Sequence, residues 1–428
     1  MTANSVNGGG IPVSAVPGSM HGLRVVEVGT SVAGPMCGQI LGDLGAEVIK
    51  VERIGHGDDT RSWAPPFWDG VSTAFLGLNR NKRSLELDFK EPRGAEIMDK
   101  LIRSADVLIQ NLRPGTLEKA GFSWERMREL NDRLVYAEMT GFGPAGPRAA
   151  EPAYDPLLQA YSGIVSMMPD TGQGPARVPL SILDKGTAFW GAIGILDALR
   201  RRDRDGVGSK VNVSLLNTAL DWVSIGMLGR MAGNAPARNL GSGFPGVVPY
   251  GAFPTSDGHI FISAGSQRLW LRLLDALGVP ELDSREGFGS NTDRAANRAE
   301  VDTALSEVTR AFTRDRINEL LLAAGVPNSP VRSVGELPDD PQVRAIGALA
   351  PLPHPQVPGL TVVNLPVQVD GANLPHQTPP PLLGADTESV LGSLGFEADE
   401  IRGLLDAGVV ATTEARAGRS VSDGTAVC

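Results

Sequence analysis

The sequence predicts an α/β protein built on a doubly wound, mostly parallel sheet, with a second, smaller α/β domain. Three observations carry this. Short β-branched runs alternate with helical segments from Leu23 to about residue 143. Glycine and proline are abundant, 52 and 32 of 428 residues, which suits many tight turns rather than a helical bundle. A chain this long builds a large core without staples, and its two cysteines, Cys37 and Cys428, make no disulfide framework.

Residues 23–28 (LRVVEV) form a β-branched run ending at Gly29, as a buried parallel strand does. A helix follows, with Pro35 in its first turn and Gly45 as its stop. Residues 47–52 (EVIKVE) are the next strand and complete a strand–helix–strand unit. Residues 82–90 (KRSLELDFK) lead into the helix PRGAEIMDKLIRSA. Strands at 105–111 (ADVLIQN) and 134–142 (LVYAEMTGF) continue the rhythm, with a helix between them. Residues 186–202 read as a helix whose basic last turn suits its dipole. A strand and a helix fill 210–233, and the Gly/Pro-rich stretch 234–250 is a boundary. Beyond it, the strand GHIFISAG and helices at 266–278 and 297–325 make the smaller unit. Residues 360–370 (LTVVNLPVQVD) return to strand character before a short helix at 387–395.

The expected division is therefore a disordered leader at 1–20, a large domain at 21–225 and 350–408, and a small domain at 240–330. Linkers occupy 226–239 and 331–349, and the polar end, 409–428, reads as a disordered tail.

Several function classes drop out. Lys+Arg 39 against Asp+Glu 49 gives a net charge of −10, which disfavours a general nucleic-acid binder. No segment approaches about 18 uncharged apolar residues, so no membrane helix is expected. The first 20 residues lack a basic n-region and an apolar core, so the expected compartment is the cytoplasm. The first strand–helix turn, Gly29-Thr30-Ser31-Val32-Ala33-Gly34-Pro35, is not a G-x-G-x-x-G fingerprint. A Rossmann-like sheet thus comes without a nicotinamide site. No P-loop, HExxH or Cys/His cluster is present, and neither a metal nor a tightly bound cofactor is expected. The five histidines, His21, His56, His259, His354 and His376, leave none between 57 and 258, which makes a Ser–His–Asp hydrolase hard to assemble. Cys37, in an apolar helix, reads as core.

The strings LGDLGAEVIKVERIGHGDDTR (41–61), NRNKRSLELDFK (79–90), ADVLIQNLRPGTLEKAGF (105–122) and LVYAEMTGFGPAGP (134–147) carry more. So do AYDPLLQAYSG (153–163), LDKGTAFWGAIGILDAL (183–199), AGVPNSPVRSVGEL (324–337) and PLLGADTESVL (381–391). In order and spacing they resemble the family III CoA-transferases, the group of formyl-CoA and carnitine CoA-transferases, with α-methylacyl-CoA racemase as a cousin. The resemblance covers about 22 to 405. It implies an interlocked homodimer that moves CoA, supplied as an acyl-CoA substrate, to a small carboxylic acid.

The resemblance makes Asp184 the nucleophile; on position alone it reads as a helix N-cap. A carboxylate attacking an acyl-CoA thioester splits the exchange into covalent steps. Backbone N–H groups near Gly186 are expected to face the developing oxyanion. Where the racemase has its histidine, this chain has Tyr154, whose ordinary pKa near 10 makes it a poor base for an α-proton. That favours transfer over racemisation; a non-catalytic CoA-binding protein is the other alternative. Asp155 matches an acidic family position near the nucleophile, and reads equally as a loop carboxylate or cap.

The resemblance places CoA against Val32, Ala33, Arg53, Leu87, Lys90, Asn111, Leu112, Arg113 and Lys119. Arg53 and Lys90 bring charge, and Asn111 a paired donor and acceptor. The basic residues read equally as solvated surface charge. Formyl-CoA transferase has glutamine in place of Val32 and arginine in place of Lys119, and the first departure implies a different pocket. Residues 241–246 (GSGFPG) match a glycine-rich loop able to close over the site, or read as a linker. Asp386 stands where the family has histidine.

Overall fold

The computed structural model describes residues 18–63, 66–169, 172, 174–233, 241–244, 246–374 and 378–413. Residues 1–17 of the expected leader and 414–428 of the expected tail lie outside them. The chain divides into two compact units. The first takes the described residues of Met1–Ser162, Val178–Val223 and Arg344–Cys428; the second takes those of Gly163–Arg177 and Ser224–Val343.

The first unit is built on six parallel strands: β1 (Arg24–Val28), β2 (Glu47–Glu52), β3 (Lys82–Leu87), β4 (Val107–Gln110), β5 (Val135–Thr140) and β6 (Ser209–Ser214). Their spatial order is 3-2-1-4-5-6, that of a doubly wound sheet. Residues Val410–Ala411, expected in the tail, instead pair antiparallel with β3 at the sheet edge.

Period-2 alternation sends each strand's side chains to two cores. Val26, Ile49, Leu85, Leu108 and Tyr136 meet α2 (Pro92–Ser104) and α3 (Trp124–Leu130) on one face. Val25, Val48, Val107, Val135 and Ala137 meet α1 (Ala33–Asp43) and the later α5 (Ile182–Asp205) on the other. Between these helices in sequence lies α4 (Asp155–Tyr161), and α6 (Leu215–Trp222) follows β6.

Glycines set how closely α1 and α5 lie on their neighbours. Gly34, Gly38 and Gly42 recur every fourth residue along α1, hence on one face. A Cβ on Gly38 would stand 2.0 Å from Glu27 Oε2, and one on Gly42 3.0 Å from Asn81 Cβ. On α5, a Cβ at Gly194 would meet Val211 Cγ1 at 2.8 Å. Phe189, Trp190, Ile193 and Leu196 of α5 are exposed.

The second unit has an antiparallel sheet of β7 (Tyr250–Thr255), β8 (Gly258–Ser263) and β9 (Asn328–Pro330), with β8 in the middle. Helices α8 (Gln267–Leu277), α9 (Arg298–Thr309) and α10 (Arg314–Ala323) share its core around Trp270, Phe288, Val301 and Ile317. The stretch 226–239 begins inside a helix, α7 (Ser224–Met231), and 234–240 lie outside the described residues. The stretch 331–349 holds a 3-10 turn, Val334–Asp339, secured by a capping box between Ser333 and Glu336.

Two expectations need correction. Residues 360–370 are not one strand: Thr361–Val363 and Gln368–Val369 belong to separate two-stranded pairings. Pro366 stands between them, and proline removes a ladder donor. The helix expected from 186 begins at Ile182, so Asp184 lies within its first turn.

Candidate active site

Strand order in the large sheet reverses between β1 and β4, and doubly wound sheets bind ligands outside the carboxyl strand ends at that point. Asn111, directly after β4, closes this crevice onto the loop after β1. Its Oδ1 accepts from the Thr30 N–H at 3.0 Å, and its Nδ2 donates to the Thr30 carbonyl at 2.8 Å. A Cβ on Gly29 or Gly34 would stand 2.6 or 2.8 Å from that Oδ1, so only glycine admits the contact. The paired donor and acceptor expected to serve the ligand are therefore occupied by the protein's own loop.

Ser31 follows in the left-handed region at φ 70°, uncommon for a non-glycine residue. Its N–H donates to Asp58 Oδ1 at 3.1 Å. Val32 and Ala33 then start α1, both buried. Among the described residues, the N–H groups of Val32, Ala33 and Gly34 meet no acceptor. A helix start with free N–H groups carries partial positive charge.

Beneath α1 lies a fully buried ion cluster. Lys50 Nζ contacts Glu27 Oε1 at 2.6 Å, Asp58 Oδ2 at 2.7 Å and the Gly29 carbonyl at 3.1 Å. Lys82 Nζ contacts Glu27 Oε2 at 2.8 Å and the Pro35 carbonyl at 2.7 Å. Burial disfavours the Lys50 charge, but Glu27 and Asp58 more than reverse this and hold its pKa above the ordinary lysine value. Burial brings Lys82 down to about 8 despite Glu27, with Lys50 adding to the fall. Against the opposing effect of burial, Lys50 and Thr60 bring Asp58 down to about 2.

Asp184 sits at the start of α5, which returns the chain from the carboxyl edge after β5 to β6. Asp155, buried at the start of α4, caps α5 from outside. Its Oδ2 accepts from the N–H of Leu183 at 2.6 Å and of Asp184 at 3.2 Å, while Oδ1 accepts from Gln159 Nε2 at 2.6 Å. The Asp184 carboxyl is half-buried and makes no hydrogen bond among the described residues. Burial, then the negative charge of Asp155, pushes its pKa up to about 7. The expected oxyanion donors near Gly186 are not available at this helix start. The N–H groups of Leu183 and Asp184 go to Asp155, and that of Lys185 goes to the Ser181 carbonyl. Gly186 instead gives space: a Cβ there would stand 2.5 Å from the Trp222 ring and 2.8 Å from Thr218 Cγ2.

The other sequence-derived residues separate into three kinds. Arg53, Lys90, Arg113 and Lys119 lie exposed beyond the carboxyl ends of β2, β3 and β4. Arg53 pairs with Asp59 and donates to the Gly57 carbonyl at 3.2 Å. Leu87 is buried in the core with Leu85, and the N–H of half-buried Leu112 donates to Gln110 Oε1. Tyr154 is 57% exposed and lies just before α4.

Asp386, in place of the family histidine, is structural: it accepts from the Ser84 N–H at 2.9 Å, and its own N–H donates to the Ser84 carbonyl. In the second unit, the Ser242 hydroxyl accepts from the Ala252 N–H at 2.7 Å, and Arg298 donates to the Phe244 carbonyl at 2.7 Å. Pro245 of the glycine-rich stretch lies outside the described residues.

Sequence reasoning missed Glu27, Lys50, Asp58 and Lys82. The available signal was a charge inside each β-branched run, Glu27 in LRVVEV and Lys50 in EVIKVE. No described helix is long and apolar enough to cross a membrane.

Residues 20–387 match the family model of CoA-transferase family III. Human succinyl-CoA:glutarate CoA-transferase is 32% identical over 91% of this chain and 90% of its own length. The acetyl-CoA:oxalate CoA-transferase of Acetobacter aceti is 36% identical over 85% and 92%. The crystal structure of a CAIB/BAIF family protein from Brucella suis, 33% identical, superposes with a TM-score of 0.82 over 89% of this chain and all of that one. With this family match and these relatives, the chain belongs to CoA-transferase family III and is a CoA-transferring enzyme.

Proposed function

We propose that the enzyme transfers CoA from an acyl-CoA to a small dicarboxylic acid through covalent intermediates on Asp184. An Asp184 carboxylate oxygen attacks the thioester carbonyl, the C–S bond breaks, and an acyl-aspartyl anhydride and CoA thiolate form. The thiolate attacks the aspartyl carbonyl, releasing the donor acid as carboxylate and leaving an aspartyl-CoA thioester. The acceptor carboxylate attacks this thioester, giving a second anhydride and thiolate. Attack of the thiolate on the acceptor carbonyl restores Asp184 and yields the new acyl-CoA. The cycle consumes no proton and no oxidant.

The observation that carries this reading is a half-buried carboxyl, free of hydrogen bonds among the described residues, whose helix is capped by a second buried carboxylate. A pKa near 7 leaves a large ionised fraction at neutral pH and makes that carboxylate more basic, hence a stronger nucleophile, than an ordinary aspartate. The free N–H groups at the start of α1, rather than those of α5, would face a developing oxyanion. The preference for a dicarboxylic acceptor draws on relatives named for glutarate, oxalate and D-citramalate. Racemisation fits less well, because Tyr154 stands where the racemase has its histidine. Asp184→Ala should remove succinyl-CoA-dependent transfer while leaving circular dichroism unchanged; near-native turnover would refute the mechanism.

Homodimerisation belongs to the same proposal. Trp190 and Ile193 on α5 are 45% and 54% exposed, with Phe189 and Leu196 beside them, an apolar stripe that a second chain would cover. Ile193→Asp should shift the sedimentation coefficient from dimer to monomer; an unchanged dimer would exclude this stripe.

A further inference from the structure

We propose that Lys185 selects the acid: its ammonium holds the second carboxylate of a dicarboxylic acid while the first reacts at Asp184. The proposal rests on the reading that Asp184 is the reacting carboxyl.

Lys185 follows Asp184 in the first turn of α5 and is exposed. Its ammonium has no hydrogen-bond or ion-pair partner among the described residues. It is not spent on its neighbour either. Burial and Asp155 act on the Asp184 carboxyl, and no pairing with Lys185 opposes them. Lysine is also the wrong charge for this place. The start of a helix carries partial positive charge and favours acidic side chains, which Asp155 and Asp184 supply. A cation kept there without a partner suits an anion that arrives from solution.

Local geometry sets Lys185 between the carboxyl and a flat apolar wall. Successive residues on a helix project about 100° apart. Asp184 lies on one side of Lys185 and Gly186 on the other, and a Cβ on Gly186 would stand 2.5 Å from the Trp222 ring. That ring is held in place through α6, where the buried hydroxyls of Thr187 and Thr218 lie 3.0 Å apart. Trp222 is nonetheless exposed, and its indole N–H has no acceptor among the described residues. Three more large exposed side chains stand around this turn. Tyr154 precedes the capping Asp155, Leu180 lies two residues before α5, and Phe189 comes one turn after Lys185. Lys185 is the one cation in this group. An apolar surface carrying a single charge fits a ligand with a short apolar spacer and an anionic end.

The exchange needs such a group. Only one carboxylate of a dicarboxylic acid is activated, and the other keeps its charge from donor to product. That charge enters a site already holding Asp155 and Asp184, against like-charge repulsion. Lys185 supplies the opposite sign, and its flexible four-carbon stem lets one ammonium meet acids of different length. The same contact serves the free carboxylate of a succinyl donor and that of the acceptor, because both acyl groups pass through Asp184.

The test is Lys185→Met, which keeps the length of the side chain and removes its charge. Glutarate and pentanoate, equal in length and different by one carboxylate, are compared as acceptors at saturating succinyl-CoA. CoA binding is measured by calorimetry. Losing a charge-assisted bond predicts a KM for glutarate about tenfold higher and a glutarate-to-pentanoate ratio of kcat/KM about tenfold lower. The CoA Kd should stay within about twofold of wild type, since the nucleotide end is not involved. Lys185→Arg keeps the charge and should retain most of the ratio. An unchanged ratio, a loss that Lys185→Arg shares in full, or a wild-type enzyme that prefers pentanoate overturns the proposal. A loss that comes with dissociation of a dimer in sedimentation overturns it too, because it would mark Lys185 as part of the stripe that begins at Phe189. The two readings fail separately: transfer surviving in Asp184→Ala removes the covalent mechanism, whereas an unchanged ratio in Lys185→Met removes only the role of Lys185.

Discussion

Asp155 accepts a hydrogen bond from the backbone N–H of Asp184 at 3.2 Å and from that of Leu183 at 2.6 Å. One buried carboxylate thus holds the helix that presents the other, and its charge adds to the burial that raises the other's pKa.

The first consequence is a pH profile. In the proposed mechanism Asp184 attacks as an ion, and burial with the charge of Asp155 pushes its pKa up to about 7. For CoA transfer, kcat/KM should rise with pH and level off above a midpoint near 7. Asp155→Asn removes the like charge, so the midpoint should move to lower pH, with some loss of stability because Gln159 now meets an amide. A midpoint unmoved by Asp155→Asn would show that burial alone sets it.

A second consequence concerns stability. Folding raises the Asp184 pKa from the ordinary 3.8 to about 7. Within that window the folded chain binds more protons there than the unfolded chain, so this group makes folding less favourable as pH rises through it. Asp184→Asn should therefore be stabilising at pH 8 and nearly neutral at pH 4. A gain of about 1 kcal/mol would raise the melting temperature by about 1–2 °C for a chain of this size. Equal melting curves at both pH values would argue against a raised pKa.

Arg53 tests the nucleotide end. Its side chain is 62% exposed and already paired with Asp59, so a bond from it to a phosphate would be weakened by solvent and by competition. Arg53→Ala should weaken CoA binding by about 3- to 10-fold, and acyl-pantetheine binding hardly at all. Equal losses by calorimetry for the two ligands would place Arg53 away from the phosphates.

Gly38 tests the buried cluster. An alanine methyl there would stand 2.0 Å from Glu27 Oε2, a carboxylate fixed by two lysines. Overpacking of this kind costs about 1–3 kcal/mol. Gly38→Ala should lower the urea midpoint accordingly; an unchanged midpoint would mean that α1 can lift off the cluster at little cost.

The parallel sheet was legible because β1, β2, β4 and β5 are compact apolar runs bounded by glycine and separated by helix-length segments. The Asp184 helix was legible in composition but not in its start, since its cap comes from Asp155, 28 residues from Leu183 along the chain. A contact that distant leaves no local pattern. The second half of 360–370 misled for the opposite reason: its β-branched residues sit in an exposed hairpin rather than a continued strand. The helix α11 (Ala398–Asp406) was overlooked, although Glu397 and Glu400 spell its capping box. The site's charged support was hardest to read. Glu27 and Lys50 look like interruptions in apolar strands until the fold sets them side by side.

The most direct test of the covalent account is to trap the intermediate. The enzyme is incubated with succinyl-CoA without acceptor, quenched with hydroxylamine, digested, and its peptides are weighed by mass spectrometry. A covalent intermediate on Asp184 should give a hydroxamate there that requires succinyl-CoA and is absent from Asp184→Ala. Steady transfer with no modification at Asp184, or with the label on another residue, would contradict it.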